Sequence, residues 1–191
     1  STLRNSMYYG LKLTNAVPLV EMNTIQNNTQ AAAFLDLLSI GATFTGNTYS
    51  GNGNGNNLLL ESGTLSQSRT LKEADAPYQA TSSITIAGTS TIPAVLTIEP
   101  GTEIRFGSNL GLYIGSGTNL GALVAQGTPS LPILFTSTST STYWRGIYFD
   151  NATVDATSIM EHSIVEYGGY SSTANVTLVS SNPTVRNSTL R

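Results

Sequence analysis

PLVEMNTIQNN, residues 18–28, is the stretch on which the reading of this chain turns. Its second half, NTIQNN at 23–28, repeats STLRNS at 1–6. Thr24 matches Thr2, Ile25 matches Leu3 and Asn27 matches Asn5, an offset of 23 − 1 = 22 residues. The longer motif returns at residues 183–191 as PTVRNSTLR, with Pro183, Val185, Thr189 and Leu190 where the first copy has Pro18, Val20, Thr24 and Ile25. Strand-forming residues bounded by Asn and Pro, returning at a fixed spacing of about 22 positions, are the mark of stacked β-coils.

Working outward, residues 1–28 read as short strands separated by tight corners, with Leu11 and Leu13 alternating onto one face. Residues 30–41 (QAAAFLDLLSIG) fit either a helix, with Phe34, Leu37 and Leu38 at i, i+3 and i+4, or a strand of the next coil. Residues 46–57 (GNTYSGNGNGNN) offer no apolar face and are expected to form a loop without regular structure. From Leu58 the strands become regular. The first inward positions of five of them, Leu96, Ile104, Leu112, Leu123 and Ile133, lie 8, 8, 11 and 10 residues apart. Three such steps make one coil of about 22–30 residues, and hairpin turns of the Asn-Gly or Asp-Gly kind are missing from this part of the chain. The expected fold is therefore all-β, a three-faced parallel β-helix in a single domain spanning residues 1–191. Its core is expected to hold Leu11, Leu13, Leu96, Ile98, Ile104, Phe106, Ile114, Ile133, Phe135, Ile147, Phe149, Val176 and Leu178.

Composition bounds the function classes. Only 10% of the 191 residues are charged, with 8 Lys and Arg against 11 Asp and Glu and a net charge of −3, so no polyanion-binding surface and no nucleic-acid partner are expected. A hydrophobic content of 39% supplies a core, while Ser, Thr, Asn and Gly take the place of charges outside it. Such a surface suits an extracellular protein. Cysteine is absent, which excludes disulfides and Cys-based metal sites. No run of 18 apolar residues is present, so no membrane-spanning helix is expected. The sequence opens inside a coil motif and reads as a mature fragment.

Residues 96–107 (LTIEPGTEIRFG), 121–137 (GALVAQGTPSLPILFTS), 143–149 (YWRGIYF) and 159–169 (IMEHSIVEYGG) resemble the right-handed parallel β-helix surface proteins of bacteria and archaea, within the pectin-lyase-like superfold. The resemblance runs from Pro77-Tyr78 onward and again through residues 1–28. It implies a right-handed coil and a place on the cell surface. It does not select an activity, since that fold carries lyases, hydrolases, adhesins and inert stalks.

Within that fold a polysaccharide lyase needs a basic residue with acidic neighbours, and a hydrolase needs two or three Asp at a fixed separation on one face. The residues available for such chemistry are Glu99, Glu103, Arg105, Arg145, Asp150, Asp155, Glu161, His162 and Glu166. Glu103 and Arg105 sit at i, i+2 and read as a surface ion pair. His162 is the only histidine and lies among strand residues. Trp144 is expected to cover a corner; an exposed ring there would instead suit sugar stacking. The run TSTSTST at 136–142 is confined to one insertion and does not form the ranks an ice-binding face needs. Glycan acceptor triplets stand at Asn27, Asn151, Asn175 and Asn187, in a chain rich enough in Asn and Thr to produce them by composition alone.

No catalytic residue, cofactor or metal is assigned from these patterns. The expected function is a non-enzymatic, extracellular structural or adhesive β-solenoid, with a carbohydrate-active or sugar-binding β-helix recognising surface polysaccharide as the alternative. The expected partner is the chain itself. STLR at 1–4 is identical to STLR at 188–191, and superposing the two copies gives NPTVRNSTLRNSMYYGLKL, an uninterrupted coil in which Pro18 follows Pro183 by (191 − 4) + 18 − 183 = 22 positions. Thr2, Leu3 and Arg4 at one end and Val185, Leu190 and Arg191 at the other are the expected assembly residues. They would join units either covalently, in a tandem array with a period of 187 residues, or by head-to-tail stacking.

Overall fold

The computed structural model describes residues 1–171 and 173–191, and every strand pair in it is parallel. The chain forms a β-solenoid of about seven turns, all-β apart from two short 3-10 turns at Leu37–Ser39 and Gly53–Asn56. From Leu58–Leu60 onward, successive strands fall in turn into three sheets. One has eight strands, and two have five each. The first turns instead place strands in a three-stranded and a two-stranded sheet on either side of the eight-stranded one.

The repeat seen in the sequence is the turn of the helix. Thr2, Leu3 and Arg4 lie beside Thr24, Ile25 and Gln26, the same 22-residue offset that relates STLRNS to NTIQNN. Turn length is more variable than 22–30 residues. Leu58 pairs with Tyr78, a step of 78 − 58 = 20. Gly111 pairs with Gly146, a step of 146 − 111 = 35. The additional residues lie in corners such as 138–145, where they leave the stacked strands unchanged.

Several corners are made by a single residue in the left-handed region. Asn5 (φ 60°), Asn15 (48°), Asn27 (56°) and Asn187 (51°) use a residue type that tolerates it, whereas Met22 (52°) and His162 (45°) adopt it at the same kind of corner with side chains that do not favour it. His162 is thus a bend in the chain, between Ile159–Glu161 and Ser163–Val165.

The interior is filled by alternate residues stacked from turn to turn. Leu13, Leu96, Ile98, Ile104, Phe106, Ile114, Ile133, Phe135, Ile147 and Phe149 are buried, as the alternation predicts, and Leu11 and Val176 are half-buried against the same core. Leu178 faces inward beside Phe149 yet is 48% exposed, because no turn covers it. Residues 30–41 resolve in favour of the strand, Ala31–Leu35, followed by the 3-10 turn that Asp36 caps by accepting from the Ser39 amide. The expected loop at 46–57 is less irregular than its composition implies. Thr48–Ser50 forms a strand because Thr24–Gln26 supplies its hydrogen bonds, and Tyr49 packs on the core.

Polar side chains stack as well. The amide of Ser6 donates to Asn28 Oδ1 at 3.0 Å, and the Asn28 amide and Nδ2 both donate to Asn52 Oδ1 at 3.1 and 2.8 Å. Asn52 Nδ2 in turn reaches the carbonyl of Ile25 at 2.7 Å. A parallel ladder runs from Asn23 through Asn47 to Asp75. Buried amides in these columns satisfy corner backbone groups that the strands cannot reach.

Two expectations follow. Phe135→Ala should destabilise the chain by about 3–5 kcal/mol in denaturant unfolding, because the turns on either side hold the cavity open. Asn52→Leu should cost about 1–3 kcal/mol by leaving the Asn28 amide and the Ile25 carbonyl unpaired, even though it adds apolar volume.

Candidate functional site

The structure does not gather the residues the sequence singles out into one place: the end-rung residues lie at the two ends of the stack, and the carboxylates are spread over the eight-stranded sheet (Glu103), a five-stranded sheet (Glu161) and the corner after Gly146–Phe149 (Asp150). In the first rung Leu3 points inward at Ile25 and is half-buried, while Thr2 and Arg4 face solvent. In the last rung Val185 sits beside the fully buried Met160 and Leu190 beside the fully buried Val165. Both are inward positions, yet Val185 is 39% and Leu190 49% exposed. With Leu178 they form a cross-section of the core that is covered on one side only. Arg191 points outward and pairs with Glu166 at 2.8 Å.

The six carboxylates singled out from the sequence are each engaged by neighbours in the fold. Glu103 holds Arg105 at 2.6 Å, the surface pair expected from their spacing. Asp150 accepts from the Asn151 amide and Asp155 from the Asn182 amide. Glu166 takes Thr136 as well as Arg191. Glu99 accepts from the Glu73 amide, and Arg145 donates to Asn109 Oδ1. Glu161 is bound by Arg186 at 2.9 Å, Gln126 at 3.2 Å and Asn187 at 3.4 Å. Among the described residues no three Asp, Glu, His or Cys side chains come together as a metal-binding group.

Trp144 is fully buried, stacked on Phe106 with ring centroids 4.5 Å apart and donating its indole N–H to the carbonyl of Glu166 at 2.8 Å. It covers the inside of a corner and presents no face to a sugar. Of the TSTSTST run, Thr136 and Ser137 belong to the strand Ile133–Ser137 and are buried, and the remainder forms the turn beyond it.

The four glycan acceptor triplets differ in setting. Asn27 and Asn187 are exposed corner residues, and Asn151 is exposed beside Asp150. Asn175 is half-buried and committed, accepting from the Gly168 amide at 2.8 Å and donating to the Arg191 carbonyl at 3.1 Å. It lines a hollow of about 300 Å³ with Tyr143, Glu166, Tyr167, Gly168 and Arg191.

One group was not singled out from the sequence. Tyr9 stacks on Phe34 at 5.0 Å, Tyr8 lies 6.4 Å from Tyr9, and Lys12 Nζ stands 5.8 Å from the centre of the Phe34 ring. Tyr8, Tyr9, Lys12 and Ser6 line a hollow of about 470 Å³ on the outer face of the eight-stranded sheet. The available signal was the 22-residue step itself, since 34 − 12 = 22 puts Phe34 beside Lys12.

Among the described residues no helix is long and apolar enough to cross a membrane. Burial pushes the carboxyl of Glu73 upward, helped by Asp75 and then Glu99, and pushes the phenols of Tyr49 and Tyr78 well above their ordinary range. Glu161 moves the other way. Its hydrogen bond from Arg186, then that from Gln126, hold its carboxyl below the usual glutamate range. A lowered folded-state value means that the stabilisation is present above the ordinary glutamate range and lost as the pH falls through the lowered value. An NMR titration of the side-chain carboxyl carbons should therefore find Glu161 titrating below glutamates without an arginine partner, and Arg186→Gln should move it back upward. Comparison of the chain with protein-family models, with curated proteins and with solved structures returns no match.

Proposed function

We propose that this chain is a non-enzymatic β-solenoid module, structural or adhesive, of an extracellular or cell-surface assembly extended by stacking coil on coil, head to tail. The observation that carries this reading is the repeat itself: STLR recurs at 1–4 and 188–191, and the 22-residue step that relates STLRNS to NTIQNN is the step by which one turn stacks on the next. Unpaired strand edges over an apolar cross-section favour the addition of more strands. The engagement of the carboxylates in corner and cross-turn hydrogen bonds supports a scaffold role. The neutral Ser, Thr and Asn exterior suits a protein working outside the cell.

A second reading, sugar binding, is favoured by one observation, the Tyr8–Tyr9–Phe34 platform beside Lys12. Aromatic faces stack on pyranose rings, and an ammonium group beside them suits an acidic sugar.

The two readings separate by experiment. On the structural reading, incubation with uronate and neutral polysaccharides yields no new reducing ends and no unsaturated products, and electron microscopy of concentrated protein shows rods longer than one chain. Polysaccharide cleavage would overturn it. Retention on an acidic-polysaccharide column that is lost in Tyr9→Ala and Lys12→Gln, without cleavage, would establish the second.

A further inference from the structure

Resting on the head-to-tail reading, we infer the register of the junction: the rung made by Val176–Leu178, Thr184–Arg186 and Thr189–Leu190 is continued by Tyr9–Leu13, Leu19–Glu21 and Thr24–Gln26 of a second copy of this sequence. The offset comes from the sequence alone. Superposing the two STLR copies starts the second copy 188 − 1 = 187 residues after the first. Leu11 of the second copy then lies 11 + 187 − 176 = 22 residues after Val176 of the first, and the same step carries Val185 onto Val20 and Leu190 onto Ile25.

The structure meets this register beyond the motif that chose it, at Val176, Leu178 and the corner that follows them. All three strands of the last rung land on strands. Every inward residue lands on an inward residue: Val176 on Leu11, Leu178 on Leu13, Val185 on Val20 and Leu190 on Ile25. A slip of one position would have reversed all four. The corners also coincide. Five residues separate Leu178 from Thr184, and five separate Leu13 from Leu19. The left-handed residue falls at the same point in both, Ser180 at φ 50° and Asn15 at φ 48°. Two residues separate Arg186 from Thr189 and two separate Glu21 from Thr24, with Asn187 at φ 51° and Met22 at φ 52°. The two rungs therefore turn in the same places.

Charge agrees with shape. Arg186 lands beside Glu21, extending the column in which Arg186 already meets Glu161. Opposite charges directly across a strand pair are favourable.

The identity of the two STLR segments defines how one copy joins the next. In a single chain Thr2–Arg4 pairs along Thr24–Gln26. In the junction Thr189, Leu190 and Arg191 occupy that same place, so one segment serves for both copies. A covalent array shares a single STLR. Separate chains exchange strands, residues 188–191 of one displacing residues 1–4 of the next. Such a contact is heterologous and does not close, so it builds a filament.

The test compares a two-copy chain, in which Arg191 is followed directly by Asn5 of the second copy, with a control lacking one further residue at the join, and with the 191-residue chain. Amide hydrogen exchange at residues 176–178, 184–186 and 189–190 of the first copy should slow by about tenfold or more in the two-copy chain relative to the single chain, and not in the control. Filaments of the single chain should form more readily once residues 1–4 are removed, and should be lost in Leu178→Asp and Val185→Asp, whose sites are open to solvent in the unassembled chain. Slow exchange only in the in-register two-copy chain, with a single chain that stays monomeric, upholds the register and selects covalent tandem linkage. Filaments indifferent to Leu178→Asp, Val185→Asp and removal of residues 1–4 keep the head-to-tail function and overturn the register. Equal exchange in the two-copy chain and its control, with no filaments, overturns both.

Discussion

Parallel stacking of each turn on the next is the constraint from which the rest of this structure follows. Inside the stack, strand N–H and C=O groups are satisfied by the turns above and below, so no inner turn is complete without its neighbours. Because side chains alternate across a strand, the same stacking fixes which residue of each turn enters the core. Phe106 above Ala80 and Ile147 above Leu112 are outcomes of that rule.

Corners are where the constraint relaxes. A turn of 20 residues and one of 35 stack in the same sheets, since the surplus is looped out between strands. The looped segments then carry their own chemistry. Trp144 folds back from one to close the core over Phe106, and the buried asparagines satisfy backbone groups where no ladder exists. Two ion pairs also bond one turn to the next: Glu161 with Arg186, and Glu166 with Arg191.

Period-2 alternation and the 22-residue repeat made the coil, its parallel sense and most of its core legible in the sequence. They succeed because both reflect the same stacking contact. What stayed hidden depended on neighbours one turn away. Thr48–Ser50 has the composition of a loop and becomes a strand only because Thr24–Gln26 lies beside it. Leu178 alternates correctly and is nonetheless exposed, because burial requires a covering turn as well as the right parity. The Tyr8, Tyr9, Phe34 and Lys12 cluster assembles across one turn from residues that carry no shared motif. The tetrapeptide repeat of residues 1–4 and 188–191 is visible in the sequence, while the similar corner dihedrals at Asn15 and Ser180 required coordinates.

The hydrogen bonds of such a coil point along its long axis, and the strands run across it. Tension applied end to end therefore loads one rung at a time in the peeling direction, so rupture is sequential. Each turn occupies about 4.8 Å of rod length. Once detached, its 20 to 35 residues release roughly 70 to 120 Å of extensible chain. A rod of stacked coils is thus a reserve of length that yields under force without breaking a covalent bond.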